Sequence, residues 1–87
     1  MKNTGNEQDI SRPVDSFPNG SMVRIVSLDA GRESMARLCA LGLVPGTRVR
    51  VLRNGENGPL KLRFRGSELA LGRGLARKIL VEQVGDD

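Results

Sequence analysis

The chain has 87 residues, 38% of them hydrophobic and 28% charged, with a net charge of +4. That suits one small globular domain and excludes a membrane helix, since no apolar run approaches the roughly 20 residues a span requires. One cysteine, Cys39, excludes an internal disulfide, and the lack of His, Tyr and Trp removes the usual general base near neutral pH and most stacking surfaces.

Residues 1–16 are polar without a sustained period, and they are expected to form a flexible N-terminal extension. Ile10, Val14 and Phe17 are isolated apolar residues able to pin its end to a body. The N-terminus lacks the apolar segment of a secretory signal, so a cytosolic location is expected. Pro18-Asn19-Gly20 signals a turn, and the β-branched run Met22–Leu28 predicts a first strand. Asp29-Ala30-Gly31 breaks it.

From Arg32 to Leu41, Met35, Leu38 and Cys39 fall at i, i+3 and i+4, which predicts a short amphipathic helix. Ten residues do not hold a helix alone in water, so this one must dock on a sheet. Cys39 lies on its apolar stripe, and a buried structural thiol is expected there. Gly42 suits the left-handed residue that ends a helix, and Pro45-Gly46 suits a turn with fixed φ followed by positive φ. Leu43 is expected in the core and Val44 at the surface.

The pattern then changes to period two. In Thr47–Arg53, Val49 and Val51 oppose Arg48 and Arg50; in Leu60–Arg65, three apolar residues oppose Lys61, Arg63 and Arg65. Residues 54–59 form a loop. Gly66-Ser67 reads as a type II′ hairpin turn with glycine first. Glu68–Leu71 is a short strand, Gly72–Arg77 allows a helical turn, and Lys78–Val84 is the last strand. Residues 85–87 are expected to fray.

Five short strands with one helix after the first predict a mainly β fold, a small, strongly bent antiparallel barrel spanning residues 17–84. Its predicted core is Val23, Ile25, Leu38, Val49, Val51, Leu62, Phe64, Leu69, Leu71, Ile79 and Val81. Such a core leaves little reserve of stability in a chain this short.

Catalytic and metal chemistry find little material. The carboxylates are scattered, no phosphate-cradling glycine motif is present, and one cysteine without histidine does not make a zinc site. No cofactor is expected. The strongest feature is electrostatic. Twelve of the fourteen Lys/Arg lie in residues 21–84, against five Asp/Glu. Arg48, Arg50, Lys61, Arg63 and Arg65 would gather on one outer sheet face. That face suits an acidic protein surface, a solvated exterior or nucleic acid, and the missing aromatics speak against the last. A homodimer through Val26, Leu28, Leu43 or Leu80 is a further possibility.

Pro18-Asn19-Gly20, Arg24-Ile25-Val26, the segment Arg37-Leu38 to Leu41-Gly42-Leu43-Val44-Pro45-Gly46-Thr47, Val49-Arg50-Val51, Gly66 with Leu69-Ala70-Leu71, and Ala76 with Ile79 and Val81 form a pattern across the chain. On these residues the chain resembles the FeoA family of small SH3-like barrels. It covers about three quarters of the chain and leaves residues 1–16 outside. It implies a non-enzymatic cytosolic accessory protein of bacterial ferrous iron uptake. The implied partner is the membrane transporter FeoB, met by protein contact. Similar domains end iron-dependent repressors, but no DNA-binding helix pair precedes the barrel here. Leu43, Val44, Arg48, Arg50, Lys61, Arg63 and Arg65 are the candidate contact residues.

Overall fold

The computed structural model describes residues 10–55 and 57–85. Expectations for residues 1–9, for Glu56 and for Asp86-Asp87 fall outside that range. The elements in chain order are β1 (Arg12–Pro13), a 3-10 turn (Val14–Ser16), β2 (Met22–Leu28), α1 (Arg32–Leu41), β3 (Arg48–Arg53), β4 (Leu60–Phe64), β5 (Ser67–Leu71), α2 (Arg73–Ala76) and β6 (Ile79–Gln83). The strands form one six-stranded antiparallel sheet in the order β1-β6-β2-β3-β4-β5. The mainly β, SH3-like expectation holds, with the sheet left unclosed between β1 and β5.

The first correction concerns the N-terminal segment. The folded body starts at Arg12, not Phe17: Arg12 and Pro13 pair with Val81 and Leu80 of β6. Two residues are too few for a strand pattern to show, and proline costs nothing at an edge where no N–H is needed. Val14 and Phe17 both enter the core, while Ile10 stays exposed. The Arg12 guanidinium stands 4.6 Å from the centre of the Phe17 ring, a cation–π contact that clamps the segment.

The core joins Val23, Ile25, Val49, Val51, Leu62, Ile79 and Val81 from alternate strand positions with Leu38, Leu43, Leu60 and Leu71. Alternation therefore placed the strand interior correctly. Phe64 and Leu69, predicted inside, are only partly buried and lie at its border. Leu60 and Ala76, absent from the predicted set, are fully buried.

A second correction concerns the β4–β5 hairpin. Arg65 and Gly66 are its two turn residues, with φ of 55° and 79°, the pattern of a type I′ turn. The type II′ reading shifted the turn by one residue. Both types favour glycine and match the twist of the flanking strands, but I′ requires positive φ twice, here at Arg65 and Gly66. Arg65 thus leaves the strand face and stands at the tip of the turn.

The C-terminal end is tied down as far as Gly85. Val84 donates its amide to the Met22 carbonyl at 3.0 Å, and Arg48 Nη2 donates to the Gly85 carbonyl at 2.7 Å.

Candidate functional site: a basic sheet face beside an uncovered helix end

The helix α1 ends as its glycine predicts. Gly42 has φ of 94°; its amide donates to the Cys39 carbonyl at 3.0 Å and the Leu43 amide to the Leu38 carbonyl at 2.9 Å. These paired bonds are a Schellman motif, which satisfies carbonyls the helix would otherwise leave open. A Cβ at Gly42 would lie 3.4 Å from Phe64 Cε2, close to ordinary contact, so the positive φ is what calls for glycine. The turn Val44–Thr47 follows, closed by Thr47 N–H donating to the Val44 carbonyl at 3.0 Å, with Gly46 at φ of 96°. Thr47 Oγ1 donates back to the Gly42 carbonyl at 3.1 Å and locks the two turns together.

This geometry separates Leu43 from Val44. Leu43 is fully buried and belongs to the core. It is therefore removed from the contact surface, where the sequence had placed it with Val44. Val44 stays exposed at 36%, as do Met35 at 38% and Leu41 at 44%. Leu38 alone among the helix residues is buried. Cys39 is exposed, a correction of the buried-thiol expectation. Period 3.6 says which residues share a face, not whether anything covers it; here α1 rests on the barrel through Leu38 and leaves the rest of its stripe open.

The predicted basic face forms across β2, β3 and β4. Arg48 stands opposite Arg24, Arg50 opposite Met22 and Arg63, and Lys61 opposite Arg53 and Ala70. Like charges directly opposite one another destabilise a sheet, and local partners offset this. Arg24 Nε donates to Glu82 Oε2 at 2.9 Å, Arg63 pairs with Glu68 at 3.0 Å, and Arg50 Nη1 donates to the Gly20 carbonyl at 2.9 Å. The Lys61 and Arg65 side chains have no hydrogen bond or ion pair with the other described residues. Arg48, Arg50, Arg63 and Arg65 surround a shallow depression of about 280 Å³ floored by Met22 and Val49.

A second cleft, of about 290 Å³, was not foreseen. Leu41, Phe64, Arg65, Ser67, Glu68 and Leu69 line it, where the helix end meets the start of β5. The sequence signal was present in Leu41, read only as the residue closing the helical stripe. Phe64 and Arg65 belong to both depressions. The turn between β4 and β5 is thus a ridge with a cationic hollow on one side and, on the other, a mixed one in which Leu41, Phe64 and Leu69 adjoin Arg65, Ser67 and Glu68.

Among the described residues no three Cys, Asp or Glu side chains come together as a cation site, and no helix is long and apolar enough to cross a membrane. The arrangement suits recognition of another surface, with cations for carboxylates and an apolar hollow for an anchor.

Comparison with known proteins gives a consistent picture. The FeoA domain model matches residues 12–83. A protein of Methanocaldococcus jannaschii named "Putative Fe(2+) transport protein A" is 41% identical over 70 residues, covering 80% of this chain and 84% of its own. The crystal structure of an iron uptake regulatory protein, FeoA, superposes with a TM-score of 0.77 at 25% identity, over 86% of this chain and 99% of that one. A FeoA protein of Chlorobium tepidum, solved by NMR, gives 0.76 at 28% identity, over 86% and 72%. A manganese-dependent transcriptional repressor matches with a TM-score of 0.79 at 22% identity, over 86% of this chain but 37% of its own, which is a likeness of fold.

Proposed function

This chain belongs to the FeoA family, and on that premise we propose that it is a non-enzymatic cytosolic accessory protein of ferrous iron uptake, acting by contact with a FeoB-type membrane transporter. The observation that carries this reading is that the family match spans the whole body, from β1 to the end of β6. The chemistry of the surface supports it. Histidine is absent and the cysteine is single, so iron handling through a soft-ligand site within one chain has little to draw on. A row of arginines beside uncovered apolar side chains suits a protein contact.

The transporter's cytosolic nucleotide-binding domain is the proposed site of contact. Charge contacts at a solvent-exposed rim are screened over about 8 Å at physiological ionic strength, so binding weakens as salt rises. Deleting the chain should lower ferrous uptake in whole cells, and restoring it should recover the uptake. A purified pairing with the transporter's cytosolic domain should be detectable at low salt. Unchanged uptake together with no complex at low salt would remove the reading.

Nucleic acid draws on the same cations but is the weaker reading. Phe17 is buried and Phe64 is partly buried, so among the described residues no run of exposed aromatic rings accompanies the cations for successive bases to stack on.

A further inference from the structure

From the ridge at Phe64 and Arg65 we infer that the partner contact is bipartite: a segment of the partner protein places one large apolar side chain in the Leu41–Leu69 cleft and its neighbouring carboxylates on the arginines across the turn. The inference rests on the transporter reading and deepens it by naming the surface and the chemistry that fits it.

The first support is the cluster of uncovered apolar residues. Met35, Leu41 and Val44 are all exposed and belong to one helix and the turn that follows it. Leu41 also lines the cleft, with Phe64 and Leu69 as its apolar walls. At about 290 Å³ and open to the surface, the cleft has room for one large apolar side chain.

Charge identifies the rest of the occupant. The hollow on the other side of the ridge is lined by Arg48, Arg50, Arg63 and Arg65 and by no carboxylate. Arg65 has no hydrogen bond or ion pair with the other described residues, and its Nη1 lies 3.7 Å from where a Gly42 Cβ would stand. Its guanidinium therefore reaches from the turn to the end of α1, where the C-terminal carbonyls favour a cation. From that position it can meet a carboxylate on a segment crossing from one hollow to the other. A phosphate backbone would satisfy the cations but supplies no aliphatic anchor for the cleft.

The sheet edge adds a further element. In a two-residue hairpin the residues flanking the turn exchange hydrogen bonds, and alternate pairs follow. Phe64–Ser67, Leu62–Leu69 and Leu60–Leu71 are then the bonded pairs of this register. The amides and carbonyls of Glu68 and Ala70 point away from β4, along the open edge of β5. An extended segment lying in the cleft passes beside those groups and can bond them, as edge-strand ligands do.

The test uses the full chain, its Leu41→Ser and Arg65→Asn variants, and the transporter's purified cytosolic domain, titrated over a range of salt. Both substituted positions are exposed, and asparagine tolerates positive φ, so both variants are expected to fold; circular dichroism checks this. Leu41→Ser should weaken binding about tenfold with the salt dependence unchanged, because it removes an apolar wall of the cleft that receives the anchor. Arg65→Asn should weaken it about threefold and flatten the salt dependence. If wild type binds and both variants match it, the surface is wrong while the transporter reading stands. If wild type fails to bind, the transporter reading falls, and a synthetic acidic peptide with one central leucine then tests the surface by NMR. Shifts at both Leu69 and Arg63 support the surface; shifts at neither, or at the arginine alone, overturn it. Poly(U) binding equal in wild type and Leu41→Ser, with no protein or peptide binding, would assign the face to nucleic acid instead.

Discussion

The two ends of β3 and β4 are finished in opposite ways. Where β3 ends and β4 begins, the chain is tied by side chains. Asn54 Nδ2 donates to the Asp15 carbonyl at 2.9 Å and to the Phe17 carbonyl at 2.6 Å, and its Oδ1 accepts from Arg73 Nη1 at 2.6 Å. Asn19 Oδ1 accepts the Asn54 amide at 2.6 Å, and Arg73 also donates to the Gly55 and Gly58 carbonyls. One asparagine and one arginine thereby join the N-terminal segment, the β3–β4 loop and α2. At the other end, α1 and the β4–β5 turn meet with apolar side chains uncovered and Arg65 without a partner among the described residues. The first end satisfies the backbone of three segments internally; the second leaves its apolar and cationic groups for something else. In a domain with a core this small, that division assigns stability to one end and recognition to the other.

The contrast can be broken most severely from the core beneath it. Leu43 follows the helix stop and is fully buried, so Leu43→Ala should cost about 2–5 kcal/mol, the usual range for leucine truncation. Chemical denaturation should show a midpoint shift with little change in slope. At the tied end, Asn54→Ala leaves the Asp15 and Phe17 carbonyls without their donor, and should cost about 1–3 kcal/mol. Hydrogen exchange should then rise at residues 12–19 before it rises in β4.

Gly42→Ala probes the junction. It places a side chain at positive φ, so a loss of about 1–2 kcal/mol is expected by thermal unfolding. The smallest effect on stability belongs to the open end. Val44→Ser should change stability by under about 0.5 kcal/mol, as exposed substitutions usually do.

Much of the open end was legible in sequence because its determinants are local. Gly42, Pro45 and Gly46 write two turns in seven residues, and those turns alone separate buried Leu43 from exposed Val44. Strand alternation likewise placed Val49, Val51 and Leu62 inward. The tied end was not legible, because Asn54 gains its meaning only from Asp15, Phe17 and Arg73, far apart in sequence and joined by the fold. The Arg65 turn was misplaced because both primed turn types ask for glycine, at the first turn position in II′ and most often at the second in I′, so one glycine fits two registers. Cys39 was misjudged because a helical stripe shows a shared face without showing its cover. The cleft at Leu41 and Leu69 required both a helix end and a strand edge, which no local pattern brings together.

The central claim is that stability and recognition sit at opposite ends of the same strands. Its most direct test pairs Asn54→Ala with Leu41→Ser, measuring for each the unfolding free energy and the affinity for the transporter's cytosolic domain under conditions where both variants are folded. The predicted result is crossed: Asn54→Ala loses about 1–3 kcal/mol of stability and binds as wild type does, while Leu41→Ser keeps its stability to within about 0.5 kcal/mol and binds about tenfold more weakly. Affinity that falls in step with stability in both variants, or a Leu41→Ser chain that binds normally, would contradict it.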